Sequence, residues 1–444
     1  MFFELLRDFL LHGHKLTTVE RFGFGFSLGV GILLAVLYAY QFVYIFVSLI
    51  KRPRRYPPTD QTSRYAVLIA ARNEETVLPE LLKSLAAQDY PQERFRVFVV
   101  ADHCTDSTAA VARQHGATVL ERDGDGPRGK GHALQFLLSH IQRTEGFRAY
   151  SAYLFFDADN VLRPQFITEM DKAHVAGNRI LTCYRNSKNY GTNWISAGYG
   201  LWFLRESRHL NNPRALLGAS AAISGTGFLV DAEIIERNGG WAHFLLTEDI
   251  EFTVDSVLHG ERVGYCHGAE LFDEQPETFR QSYWQRKRWA KGFFQVCYHY
   301  GGKLLQGALR LRWPCIDLLL SILPAFLLSL IQLVTLTGLF VAHLILYGWF
   351  SGPLLGCIAS FFTFAYALLL VVGAITLVTE WHSIHCKKWR AVVYLFSFPI
   401  FMMTYIPISL AALFSHVEWR PIEHKHVATV EEIEGKGNAQ KRKK

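Results

Sequence analysis

Two carboxylates separated by a single residue, Asp157 and Asp159, and a second acidic pair, Glu248 and Asp249, are the residues of this chain best suited to chemistry. Acids at i and i+2 on a turn leaving a strand offer hard oxygen ligands to Mg2+ or Mn2+, leaving the other coordination positions to a diphosphate. A metal so held neutralises the charge of a departing diphosphate. Thr247 followed by two acids is first of all a helix cap. A buried Asp249 at that point is also placed to serve as the general base that deprotonates an attacking hydroxyl.

Two further motifs bear on the same chemistry. Residues 124–130, GDGPRGK, match the phosphate-loop pattern G-x-x-x-x-G-K, but Gly131 stands where a Ser or Thr hydroxyl would hold magnesium. Lys130 is therefore read as a phosphate-orienting residue, or as the end of a glycine-rich loop, rather than as an ATPase lysine. In residues 285–289, QRKRW, a helical turn of about 100° per residue puts Gln285, Arg288 and Trp289 on one face. Arg286 and Lys287 then point elsewhere, which predicts substrate on one side and lipid headgroups on the other.

These residues need a scaffold, and residues 63–279 read as one. Residues 65–70, 95–101, 117–121 and 153–156 are apolar strand-like runs, alternating with helical faces such as Leu78, Leu81, Leu82 and Leu85. Such alternation predicts a mainly parallel sheet with right-handed crossovers. Arg72, Asn73 and Glu74 follow the first strand, Asp102 the second, and Asp157 and Asp159 the fourth, at the carboxyl edge where open α/β sheets bind ligands. One acid after a strand is usually a cap; several strand ends supplying them together are not.

With 444 residues, half of them hydrophobic, and a positive mean hydropathy, the chain exceeds one ordinary soluble domain. Residues 23–50 are almost uncharged and long enough to cross a core of about 30 Å. They end in the basic run 51–55, KRPRR, which places the following domain in the cytosol. Residues 316–346, 353–378 and 391–414 predict about three more spans, the first, with Pro324, open to being partly re-entrant and the last kinked or broken by Pro399 and Pro407. Three spans would put the tail outside, against the preference of its terminal KRKK for the cytosol. The net charge of +7 collects beside the apolar runs, so no nucleic-acid partner is expected. Seven scattered cysteines without a C-x-x-C pair exclude a disulfide framework and a zinc site of that type.

In order along the chain, ARNEE (71–75), VVADH (99–103), GKGHAL (129–134), DAD, SGTGF (224–228), TED and QRKRW resemble the membrane-integrated family 2 glycosyltransferases, the group of cellulose, chitin and hyaluronan synthases. The resemblance covers residues 63–302. It implies a nucleotide-sugar transferase domain of the GT-A type inserted between transmembrane helices, with Mg2+ or Mn2+ as cofactor. Residue by residue it makes Asn73, Glu74 and Asp102 nucleobase contacts, Lys130 a nucleotide contact, Asp157 a ribose or diphosphate contact and Asp159 a metal ligand. Glu248 and Asp249 become the TED acids, with Asp249 the base; Arg288 binds diphosphate, Trp289 stacks on the acceptor sugar, and Gln285 completes their motif. Arg72 departs from the family, where some synthases carry an aromatic residue against the base.

The division expected is an amphipathic segment over 1–22, a span over 23–50, a cytosolic glycosyltransferase domain over 63–279, an interfacial helix over 280–312, a membrane region over 316–414 and a polar tail over 415–444, disordered after Ala428. The implied activity is inverting transfer from a UDP-sugar to a growing polysaccharide or oligosaccharide at the cell or inner membrane. Single-sugar transfer to a lipid, as in ceramide glucosyltransferases, is the competing expectation. The acceptor is thus a glycan or a lipid-linked sugar, with membrane lipids as further partners.

Overall fold

The computed structural model describes residues 16–60, 62–322, 325–417, 424 and 426–438. Most of the amphipathic segment expected over 1–22 lies outside the described residues; 18–22 are the first turns of α1, Thr18–Ile50. A capping box starts that helix: the Thr17 hydroxyl accepts from the Glu20 amide at 3.3 Å and the Glu20 carboxylate accepts from the Thr17 amide at 2.9 Å.

In chain order there follow β1 (Tyr65–Ala71), α2 (Leu78–Ala86), β2 (Phe95–Asp102), α3 (Thr108–Gln114), β3 (Thr118–Arg122), α4 (Lys130–Thr144), β4 (Ala152–Asp157), β5 (Val161–Leu162), α5 (Phe166–Val175), β6 (Ile180–Ser187) and α6 (Trp194–Arg205). A π-helical turn, Glu206–Asn211, joins α6 to α7 (Asn212–Leu216). Then come β7 (Phe228–Asp231), α8 (Ala232–Arg237), α9 (Glu248–Leu258), β8 (Val263–Asp273) and α10 (Phe279–Leu309).

The eight strands form one sheet in the order β3-β2-β1-β4-β7-β6-β8-β5. β1, β2, β3 and β4 pair in parallel as the sequence pattern required. The far half is mixed rather than parallel, because β7 runs antiparallel to β4 and β6, and β5 antiparallel to β8. β7 is only four residues long and reverses direction after the glycine turn 225–227, where Gly225 and Gly227 hold φ of +83° and +65°.

Strand side chains alternate between two cores. Ala66 and Leu68 of β1 join α4, whereas Tyr65, Val67 and Ile69 join α2 and α5. The strands read as unbroken apolar runs because helices cover both faces.

The chain continues as α11 (Trp313–Ile322), α12 (Ala325–Tyr347), α13 (Gly352–Thr379), α14 (Lys388–Met403) and α15 (Tyr405–Leu413). Among the described residues, four helical stretches are long and apolar enough to cross a membrane: Thr18–Ile50, Leu327–Tyr347, Gly352–Thr379 and Lys388–Leu413. The stretch expected over 316–346 is two helices, and that over 391–414 breaks at Thr404.

The α/β domain and the apolar helices share one core, in which Leu201 and Leu204 of α6 pack with Leu377, Leu395 and Phe398. Polar clamps fix the relation. Arg214 donates to both oxygens of Asp317 at 2.7 and 2.9 Å, and Tyr44 of α1 donates to the same carboxylate at 3.1 Å.

Contrary to the expectation of a disordered tail, α16, Val430–Asn438, is a helix docked on the domain. Ala428, Val430 and Ile433 are buried against Val161 and Phe272, and Glu434 forms an ion pair with Arg163. Two buried apolar side chains at i and i+3 are enough to hold a short helix that its polar composition alone would not.

Candidate active site

Strand ends deliver the polar residues to one edge of the sheet in three groups. The first is built on Asp102, which pairs with His103 Nδ1 at 2.8 Å and with the Arg122 guanidinium. Asn73 lies nearby in left-handed backbone, φ 57°, with its side chain accepting from the Thr105 amide at 2.8 Å and donating to the Thr105 hydroxyl at 3.1 Å.

The second group surrounds Asp159, which is buried rather than a surface acceptor. Asp159 Oδ2 accepts from the Glu274 amide at 2.9 Å. Glu74 belongs to this group, not to that of Asp102. Burial and the neighbouring Asp159 and Asp157 push its carboxyl up to about 8, against the pull of His424.

His424 was not singled out from the sequence. It comes from beyond α15, and its Nδ1 lies 3.7 Å from Asp159 Oδ2 and 3.8 Å from Glu274 Oε2, with Nε2 3.9 Å from Glu74 Oε1. Burial works against a charged imidazole, but Asp159, Glu74 and Glu274 outweigh it and raise the His424 pKa. Its neighbour His426 is tied down by Glu274, which accepts from the His426 amide at 2.9 Å, and by Glu277 at 2.5 Å.

The third group joins the two acidic motifs. Lys130, at the start of α4, binds the Asp157 carboxylate and donates to the Gly225 carbonyl at 2.6 Å. A Cβ on Gly225 would lie 3.9 Å from Asp157 Oδ2 and equally 3.9 Å from Asp249 Oδ2, so this glycine keeps open the space between them. Asp249 and Glu248 open α9, where the helix N-terminus favours their charge. Burial nevertheless wins: it raises Asp249 and, with Asp249 beside it, pushes Glu248 up to about 7, while Lys130 and Arg288 oppose both shifts.

Over this group lies α10. Arg288 donates to the Leu246 carbonyl at 2.8 Å just ahead of the TED acids. A Cβ on Gly292 would come within 2.5 Å of Thr247, so glycine is what lets the helix approach this closely. Trp289 stands edge-on to Tyr199 and Phe203 of α6, with ring centroids 5.8 and 6.2 Å apart.

The expectation that Arg286 and Lys287 meet headgroups is overturned. Arg286 is fully buried, donates to the Phe401 carbonyl at 2.9 Å and to the Thr404 hydroxyl at 2.8 Å, and lies 4.4 Å over the Phe401 ring. Lys287 is buried too, 4.9 Å over the Trp284 ring. The face opposite the motif residues is covered by the break between α14 and α15, whose carbonyls need a donor.

Four buried polar atoms around the site have no hydrogen-bond partner among the described residues: Lys188 Nζ, His424 Nδ1, Thr247 Oγ1 and Gln285 Oε1. Such orphans are costly to keep, and a polar ligand would supply their missing partners. Among the described residues no three His, Cys, Asp or Glu side chains already form a metal cage.

The sequence signature described as "Glycosyltransferase like family 2" matches residues 63–292. The chain belongs to this family. A β-monoglucosyldiacylglycerol synthase of Nostoc sp. is 28% identical to this glycosyltransferase over 291 residues, 62% of this chain and 59% of that one. A poly-β-1,6-N-acetyl-D-glucosamine synthase of Staphylococcus epidermidis is 24% identical over 250 residues, 53% of this chain and 56% of that one. The chain thus spans little more than half the length of these curated relatives. Among solved structures, the mannosyltransferase PcManGT of Pyrobaculum calidifontis, in complex with GDP-Man and Mn2+, superposes with a TM-score of 0.56 at 18% identity, covering 89% of this chain and 99% of that one. The shared fold is GT-A-like, a mixed sheet with flanking apolar helices.

Proposed function

We propose that this family 2 glycosyltransferase moves a sugar, with inversion, from a nucleotide diphosphate sugar, UDP-linked, to a hydroxyl of a growing glycan at the membrane surface. One observation carries the reading: the donor-side carboxylate Asp157 and the base Asp249 flank a single side-chain-free position at Gly225. An acceptor hydroxyl beside Asp249 and an anomeric carbon beside Asp157 would then face each other, and one base with no partner nucleophile fits direct displacement.

The residues present fit a divalent cation. Asp159 Oδ2 and His424 Nδ1, which lacks a hydrogen-bond partner, lie 3.7 Å apart and, with Asp157, would hold Mg2+ or Mn2+. When bound, the ion supplies charge neutralisation to the leaving diphosphate. This chain's own part is to orient it: Lys130 and Arg288 add positive charge on the diphosphate side, Asn73 and Asp102 lie where the base would sit, and Glu74 lines the cation side. Gln285 and Trp289 would form the acceptor wall, the indole meeting the apolar face of a sugar.

The likeness to a β-monoglucosyldiacylglycerol synthase favours a second reading, transfer of one sugar to a lipid. Both readings place the enzyme in the cell or inner membrane with its α/β domain cytosolic, anchored by the basic residues after α1. The docked tail supports an orientation in which α14 and α15 enter and return without crossing, because His424 and α16 lie on the side of the α/β domain. Incubating membranes with radiolabelled UDP- and GDP-sugars and sizing the product tests the whole reading. Label incorporated from neither donor class would overturn it.

A further inference from the structure

Tyr199 and Phe203 of α6 and Glu206, the first residue of the turn that continues it, stand at i, i+4 and i+7, which is one helix face. The first two are the rings against which Trp289 stands, so Glu206 is the next residue along the acceptor wall. At Glu206 the helix widens into the π-helical turn Glu206–Asn211. Such turns are rare and occur mostly at functional sites, because they re-aim a side chain at some cost in helical hydrogen bonding.

The Glu206 carboxylate is held from one side only. Oε1 accepts from the Ser224 hydroxyl at 2.6 Å, and Oε2 has no partner among the described residues. Ser224 is itself fixed, its carbonyl accepting from Arg185 at 2.6 Å, and the next residue is the Gly225 that separates Asp157 from Asp249. Burial raises the Glu206 pKa, and the charge of Asp249 is near enough to add to the rise, while Arg185 and Arg214 hold it down.

From this geometry we infer that Glu206 positions the acceptor by accepting a hydrogen bond, at Oε2, from a second hydroxyl, one other than the hydroxyl that Asp249 deprotonates. The acceptor is therefore a polyhydroxylated headgroup, a sugar, and not a lipid with one free hydroxyl such as diacylglycerol. The inference rests on the glycosyl-transfer reading and deepens it. A carboxylate is the strongest uncharged-donor acceptor a protein has, and Trp289 and Glu206 together would grip both the apolar face and the rim of one ring. Glu206 itself forms and breaks no covalent bond.

The test uses the full-length protein in detergent or nanodiscs, with a glycosylated lipid and diacylglycerol as paired acceptors. Wild type is expected to favour the glycosylated acceptor at least tenfold in kcat/KM. Glu206→Gln is expected to raise KM for that acceptor at least tenfold, to leave nucleotide affinity unchanged, and to erase the preference. Ser224→Ala, which frees the carboxylate to swing, should move KM the same way by a smaller factor, and serves if Glu206→Gln does not fold. Unchanged acceptor KM in both variants, or equal losses on both acceptors, would overturn the inference. Failure of wild type to bind or consume any nucleotide sugar would instead overturn the reading on which it rests.

Discussion

His424 Nδ1 lies 3.7 Å from Asp159 Oδ2, although the three apolar stretches Leu327–Tyr347, Gly352–Thr379 and Lys388–Leu413 lie between the two residues in sequence. The tail beyond the last apolar helix is thereby part of the acidic group around Asp159. Its docking through Ile433 and the Arg163–Glu434 ion pair holds the imidazole in place.

Removing that imidazole should weaken the metal site without unfolding the domain. His424→Ala is expected to lower Mn2+ affinity about tenfold, the scale seen when a ligand or its support is lost. Titration of free Mn2+ by electron paramagnetic resonance, with and without UDP, reads this directly. Asp159→Ala should abolish binding, and excess chelator should abolish transfer by wild type; affinity unchanged in both variants would place the metal elsewhere.

Arg286 should behave as a structural residue. Arg286→Ala removes a charged donor from the Phe401 carbonyl and the Thr404 hydroxyl and strips the cation from the Phe401 ring, a loss on the order of 2 kcal/mol. A lower melting temperature of the purified protein is expected, with impaired transfer following from the loosened α10. A variant that melts like wild type and differs only in liposome binding would restore the headgroup role.

How much of this was legible beforehand differs by element. The carboxyl-edge acids followed from strand-like runs ending in Arg72, Asp102 and Asp157, because strand periodicity and the edge rule are local. The antiparallel β7 did not follow, since four residues after a glycine turn carry no orientation signal. Helical spacing correctly put Gln285, Arg288 and Trp289 together. It misjudged Arg286, because the covering surface lies 115 residues further on. For the tail, Val430 and Ile433 at i and i+3 beside two histidines were a signal, outweighed by composition. Glu206 left no trace, since a π-turn is set by packing.

If Asp249 is the base, the acidic pair of α9 should set an acid limit on activity. A base works only when deprotonated, and burial raises the Asp249 and Glu248 pKa values, Glu248 to about 7. The rate should therefore fall with acid at a higher pH than an exposed carboxylate would give, and level off above that limb. Glu248→Gln removes the neighbouring negative charge, so the limb should move to lower pH. A kcat/KM profile flat down to pH 5 would show that Asp249 is not the titrating base.

Trp289 provides the sharpest separation of acceptor from donor chemistry. Its indole plane is nearly perpendicular to the Tyr199 and Phe203 rings, which fixes its tilt. Nothing in that contact reaches the Asp157 and Lys130 side. Trp289→Ala should consequently lose transfer by about a hundredfold, a stacking contribution of a few kcal/mol by analogy with aromatic anchors. Nucleotide binding should stay within twofold, since its charge-assisted contacts are intact. Trp289→Phe keeps an apolar face of smaller area and should recover part of the rate. Arg288→Ala is the converse control: it should weaken nucleotide binding, because a guanidinium beside phosphate makes hydrogen bonds that alanine cannot replace. Measuring UDP affinity by calorimetry alongside product formation for all three variants decides the matter. If Trp289→Ala extends its acceptor at near wild-type rate, α10 only braces the site and the acceptor wall is formed by α6 alone.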